Sequence, residues 1–332
     1  MKYRFIAPLH FMELEALKNK GTRIMYGARI SNGRKILDET IGTKLMSATL
    51  GVHSLREFND SVYVYIDNEL DEIQTREQMD QAGSSLTFLH LRQMQHFTHE
   101  LWKIKDNSVY VRDGFLLAYP SNGTFEDGCT YKASLSEVFT CSNCEIKPTK
   151  FSDVEVTKAS EWYKSSKLLT HNAREDGGKL PDARPLIKGE TPSTRMTRAI
   201  YFTDTARKNA VLPTKIVSYC TALECLFTTK AFKISTTVAS RTANMLGGND
   251  AAYISAFDLV KEAYKYRSII VHGQSLEGDE ETLARICRRL DIMLRTFIIG
   301  DHEIFSKDDK EMDRFFENLS KSLAEAATPS PI

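Results

Sequence analysis

The stretch 171–191 constrains this chain most, because the hydrophobic pattern changes across it. It gathers Gly177, Gly178, Pro181 and Pro185 among charged and polar residues, a composition that neither helix nor sheet favours. Before it, short runs of β-branched and aromatic residues surround one long helical pattern. After it, every periodic segment reads as amphipathic helix. At 332 residues the chain is long enough to bury two cores. We therefore read 1–170 as a mixed α+β domain, 171–191 as a linker, 192–300 as an all-α helical bundle, and 301–332 as an acidic C-terminal helix or tail.

In the first part, residues 3–7, 23–30 and 62–66 have the composition of strands. Residues 108–119 read as a hairpin turning at Asp113-Gly114. Residues 85–102 read as a helix, with Leu86, Leu91, Met94, Phe97 and Leu101 on its apolar face. In the second part, five helices are expected. They cover 194–209; 213–228, opened by Pro213; 235–246, capped by Ser235 and stopped by Gly247-Gly248; a fourth capped by Asp250 and running to His272; and 280–299. Short connections between such helices make an up-and-down bundle.

Composition narrows the function. The net charge is zero, which argues against bulk binding of polyanions. The charge is uneven, however: residues 186–300 hold 16 Lys and Arg against 11 Asp and Glu, and residues 301–332 hold 4 against 8. A basic domain beside an acidic tail leaves room for a confined nucleic-acid site. No apolar run is long enough for a membrane span, and the six cysteines are scattered. Reduced thiols in a cytoplasmic protein are expected. Cys141 and Cys144 have the spacing of half a zinc site, but no second pair accompanies them, so two free thiols in a turn are expected. His90, His96 and His99 fall on the proposed helix without a metalloprotease pattern, and polar or capping roles suit them better than metal binding. Walker, Rossmann and nucleophile-elbow signatures are absent.

The chemistry-bearing stretch is 264–273. Arg267 and His272 lie five residues apart near the end of the fourth helix, which Gly273 is suited to stop. Unpaired carbonyls at that end favour a protonated ring. A guanidinium beside an imidazole can hold a phosphate and move protons, although the same two residues could simply complement the helix dipole. Glu224 and Arg241 fall near the apolar positions of neighbouring helices and are expected to pair with each other as a structural ion pair.

Three blocks then resemble a known family: Ala222-Leu223-Glu224-Cys225-Leu226-Phe227; Ser235 with Arg241, Ala243, Met245 and Leu246; and Tyr264, Arg267-Ser268-Ile269-Ile270-Val271-His272-Gly273. In this order and spacing they look like the Apea-like branch of the HEPN domains, over about residues 192–300. The resemblance implies a helical bundle that dimerises so that two Arg-x4-6-His motifs line one cleft. It implies a metal-independent endoribonuclease, with no cofactor, serving as a toxin or in anti-phage defence. It places Arg267 and His272 in the catalytic pair, with Ser268, Glu224, Arg241 and Tyr264 in support. Expected partners are RNA, tRNA included, a second copy of the chain, and a phage-derived trigger or an antitoxin. The N-terminal domain would sense or regulate. Some HEPN domains only bind, so a non-catalytic module for dimerisation, RNA or protein binding is the rival reading.

Attack by the RNA's own 2′-hydroxyl suits these groups and yields a 2′,3′-cyclic phosphate. His272 would handle protons and Arg267 would hold the phosphate. Lys265, Arg285, Arg288 and Arg289 are candidate RNA contacts, the three arginines also reading as a solvated helix face. Five residues on an ideal helix turn through about 500°, leaving the two side chains about 140° apart. One phosphate can meet both only if the helix ends between them or if a second subunit completes the site.

Overall fold

The computed structural model describes residues 1–25, 27–59, 61–165, 193–276 and 278–326. The expected linker, 171–191, lies outside the described residues. The chain divides into two compact units. One comprises Met1–Cys141 and the described part of Ile146–Pro181, the other Ser142–Glu145 and the described part of Asp182–Ile332.

The first unit is an antiparallel sheet between two helical layers. Its strands are β1 (Lys2–Leu9), β2 (Met12–Leu14), β3 (Thr22–Met25), β4 (Ala28–Ser31), β5 (Val62–Glu69), β6 (Asp113–Tyr119), β7 (Cys129–Ser134) and β8 (Thr149–Phe151). Its helices are α1 (Arg34–Ile41), α2 (Lys44–Phe58), α3 (Arg76–Ile104) and α4 (Asp153–Ser165). Six strands run in the order β3-β4-β5-β1-β6-β7, while β2 and β8 form a separate parallel pair. Strand β1 is central, with Phe5 opposite Ile66 on one side and Leu116 on the other. Its alternation explains the layers. Tyr3, Phe5, Ala7 and Leu9 pack in one core with Leu91, Met94, Phe97 and Leu101 of α3. Ile6 packs in the opposite core with Leu37 of α1 and Met46, Leu50 and Phe58 of α2. Helix α3 begins at a capping box, in which Thr75 and Gln78 exchange side-chain and backbone hydrogen bonds, satisfying two otherwise unpaired amides.

Two local expectations are corrected here. Residues 23–30 are not one strand: they fold back as β3 and β4, an antiparallel pair. Asp113-Gly114 is not a turn. Both residues belong to β6, and Gly114 is small because the Phe5 ring and Leu91 fill the space, at 2.7 and 3.0 Å, where a Cβ would stand. The hairpin of this region is β6 with β7.

The second unit is helical: α5 (Arg195–Arg207), α6 (Leu212–Phe227), α7 (Ile234–Leu246), α8 (Asp250–Val271), α9 (Glu280–Gly300) and α10 (Asp309–Ala326). Helix α6 is its axis. Ile216, Tyr219, Cys220, Leu223, Leu226 and Phe227 are all fully buried there, as the apolar face of a helix packed on several sides must be. The Phe227 ring meets Phe297, Phe305 and Phe316 edge-on at 5.1, 5.5 and 5.9 Å, the arrangement that opposes ring edge to ring face.

The helix caps differ from expectation. Helix α7 starts after Lys233, which has a left-handed backbone and no side-chain cap, so Ser235 is not its cap. Helix α8 is capped by Asn249 rather than Asp250, through a bond from the Ala252 amide of 3.0 Å. The acidic tail is part of the bundle, because Met312 and Phe316 of α10 are buried in the same core. Charge in the tail has a structural use as well. Asp313 accepts from Thr229 at 2.6 Å and from Arg241, and pairs with Lys230 at 2.8 Å.

Burial alone would raise the Asp313 pKa, but Lys230, Thr229 and Arg241 outweigh it and hold the carboxyl well below the usual range. A depressed folded-state pKa stabilises above the unfolded value, near 3.9, and that contribution fades as pH falls toward the lower folded value. Asp313→Asn is therefore expected to cost about 1–3 kcal/mol at neutral pH. Thermal melts from pH 7 to pH 2 should show the gap between parent and variant begin to narrow below about pH 4 and keep narrowing as pH falls. A gap that stays constant across that window would show that the charge plays no part.

Candidate functional site

Helix α8 presents Lys261, Tyr264, Lys265 and Ser268 at the i, i+3, i+4, i+7 positions of one face. With Arg267, these residues line an open groove of about 400 Å³, together with Glu224 of α6 and Ile234 and Ser235 of α7. Three cations and one carboxylate face this space, so it is net positive and suited to an anion.

Glu224 holds Arg267 in place. Arg267 Nη2 stands 3.5 Å from Glu224 Oε1, with the side chains 33% and 20% exposed. One long ion pair leaves most guanidinium donors uncommitted. Among them, Arg267 Nε is buried without a hydrogen bond. The Tyr264 hydroxyl is buried beside the Glu224 carboxylate. Its pKa is pushed up, first by burial and then by the negative charge of Glu224. Below it, the Cys220 thiol is pushed up for the same two reasons and is no nucleophile. An unsatisfied buried donor is costly in a folded protein, and Arg267 Nε marks the groove as a place where a ligand would be gained.

The expected Glu224–Arg241 pair does not form. Arg241 instead binds Asp313 and the Phe227 carbonyl, the latter at 2.8 Å, and stacks on the Phe316 ring at 5.0 Å. Its true partner lies in α10, a helix remote in sequence. Arg241 thus secures the bundle and does not line the groove.

His272 closes α8. Its own amide bonds the Ser268 carbonyl at 3.1 Å, while the Gly273 and Gln274 amides bond the Ile270 and Ile269 carbonyls, both at 3.0 Å. This is the double-bonded helix end that requires a left-handed residue, and Gly273 has φ +70°. The His272 side chain is exposed and is not part of the groove that Arg267 lines. The two residues thus diverge as helix geometry requires.

Of the other expected RNA contacts, Lys265 lines the groove and the arginines of α9 do not. Arg285 pairs with Glu262 at 2.9 Å, Arg289 donates to Ser255 at 2.9 Å, and Arg288 is exposed. Lys261 was not singled out in the sequence. Its signal was the basic stripe it forms with Lys265, four residues on, but the approach of α7 to that stripe is a tertiary fact.

Two of the first unit's candidate histidines sit among aromatic and polar side chains. His90 lies between the Tyr3 hydroxyl and Gln93, at 3.0 Å from each. The His99 ring lies tilted against Trp102, centroids 5.2 Å apart. Cys141 is buried and Cys144 half-buried. Among the described residues, no three His, Cys, Asp or Glu side chains gather to hold a metal ion, and no helix is long and apolar enough to cross a membrane. No family model matches the chain, and neither a curated protein nor a solved structure does.

Proposed function

We propose that this chain is a metal-independent endoribonuclease of the HEPN type, cutting RNA through attack of the 2′-hydroxyl. The observation that carries the reading is Arg267. It lies in a cationic groove with uncommitted donors, while His272 stands in solvent at the end of the same helix. Arg267 binds the scissile phosphate and stabilises the charge that gathers on its oxygens. His272 takes the 2′ proton or protonates the leaving 5′ oxygen. The products are a 2′,3′-cyclic phosphate and a 5′-hydroxyl.

Because His272 does not share the groove with Arg267, the working cleft is composite. Two copies of the bundle place the Arg267 of one near the His272 of the other. Ser268 faces the same groove and offers a hydroxyl to phosphate; Glu224 and Tyr264 position Arg267. Within the cytoplasm the N-terminal unit regulates the nuclease in response to a phage-derived trigger or an antitoxin, and RNA, tRNA included, is the substrate.

The separation of His272 from the groove also favours a second reading, a HEPN module that binds RNA without cutting it. Incubation of cellular RNA with the parent in EDTA, beside a protein carrying both Arg267→Ala and His272→Ala, separates the two. Cleavage by the parent alone supports the nuclease. RNA that is bound but left whole under every activating condition supports the module.

A further inference from the structure

We propose that α10 is an internal stand-in for an RNA strand. It covers a cationic path that leads out of the Arg267 groove, and a strand binds along that path only when the helix leaves. This rests on the RNA reading above.

A row of acids on α10 meets cations that converge from elsewhere. Asp309, Asp313 and Glu317 recur every four residues, so they stand on one face, about 6 Å apart along the axis. Successive phosphates of an extended strand are spaced on that scale. The partners of these acids come from three separate segments. Asp309 pairs with Arg195 of α5, and Asp313 pairs with Lys230, before α7, and with Arg241 of α7. Glu317 and Lys233 line an open groove of about 510 Å³ between α7 and α10. Cations drawn together from distant parts of a chain repel one another unless an anion joins them. Here the anion is a helix, and a phosphate backbone offers the same charge.

Arg241 is met as a nucleotide would meet it. Its guanidinium binds the Asp313 carboxylate and lies over the Phe316 ring, 5.0 Å from the centroid. A nucleotide brings the same two things, an acidic phosphate and a flat ring, and unpaired bases stack on guanidinium planes.

The covered path is continuous with the site. Lys233 lines the groove between α7 and α10, while the next two residues, Ile234 and Ser235, line the groove of Arg267. A strand held at Arg267 is therefore led toward the cations that α10 occupies. The helix is also lightly seated. Among the described residues, its buried side chains are Met312 and Phe316, one turn apart. Exposing them is the cost that keeps the resting protein closed. A site open only part of the time binds its ligand more weakly by that fraction.

Asp309→Asn with Glu317→Gln, in the full-length chain, tests this. Both side chains are exposed, and Asp313, Met312 and Phe316 stay in place, so circular dichroism should match the parent. The probe is a short fluorescent 2′-O-methyl single strand, which has no free nucleophile and cannot be cut. The variant is expected to bind it about tenfold more tightly. Asp71→Asn with Glu72→Gln, exposed acids of the first unit, changes the net charge equally and should leave affinity within about twofold. Strand binding should also speed hydrogen exchange of the α10 amides, which a purely structural helix would not show.

Equal affinity in the parent and the α10 variant overturns the cover. So does equal tightening by the Asp71 and Glu72 pair, or an α10 as protected with the strand as without it. Failure of parent and variant alike to bind the strand overturns the cover together with the RNA reading. Tighter binding by the variant, with natural RNA left whole by both, keeps the cover and removes the nuclease. Cleavage of natural RNA by the parent, with α10 protected throughout, keeps the nuclease and removes the cover.

Discussion

His272→Ala is expected to lower RNA cleavage by about 10²–10⁴-fold, the usual contribution of a positioned acid or base. The loss should be purely chemical. His272 is exposed, and the bonds that end α8 come from backbone amides and from Gly273, none of which the substitution removes. Circular dichroism and the melting temperature should match the parent. RNA affinity should change little, since the ring lies outside the groove. Undiminished cleavage would remove His272 from the mechanism.

Arg267→Ala is expected to be as severe in a different way. Loss of a donor aimed at developing charge costs about 10²–10³-fold in rate. It also strips Glu224 of its ion-pair partner and leaves an unpaired carboxylate lining the groove. Both cleavage and RNA binding should fall. Arg267→Lys should recover little, because a single ammonium cannot reproduce the planar fork. Mixing the two variants tests the composite cleft. If each working site takes Arg267 from one copy and His272 from the other, co-expressed Arg267→Ala and His272→Ala chains should regain cleavage that neither shows alone. No recovery, in mixed dimers shown to form, would place both residues of a site in one copy.

Much of the architecture could be read from local pattern. The helices of the second unit were legible because their apolar periodicity is strong and their ends carry Pro213, Gly247 and Gly273. The central strand β1 was legible from its β-branched and aromatic run. What failed were features decided by distant contacts. Gly114 looked like a turn residue, but its small size accommodates the Phe5 ring and Leu91. Arg241 looked like a partner for Glu224, but the carboxylate it meets is Asp313, 72 residues on. The tail looked like a separate acidic segment because its charge conceals two buried positions, Met312 and Phe316. In the site, Arg267, Ser268, Tyr264 and Lys265 could be named from one helix. The α7 end and Lys261 could not, because they meet only when α7 and α8 pack.

The central claim is that RNA itself supplies the nucleophile, with Arg267 and His272 assisting. End-group analysis of RNA cut in the presence of EDTA tests it most directly. The expected result is 2′,3′-cyclic phosphate and 5′-hydroxyl termini, and no cleavage of a strand whose scissile residue lacks its 2′-hydroxyl. Cleavage of that deoxy-substituted strand, or 5′-phosphate ends that form only when a divalent metal is added, would contradict it.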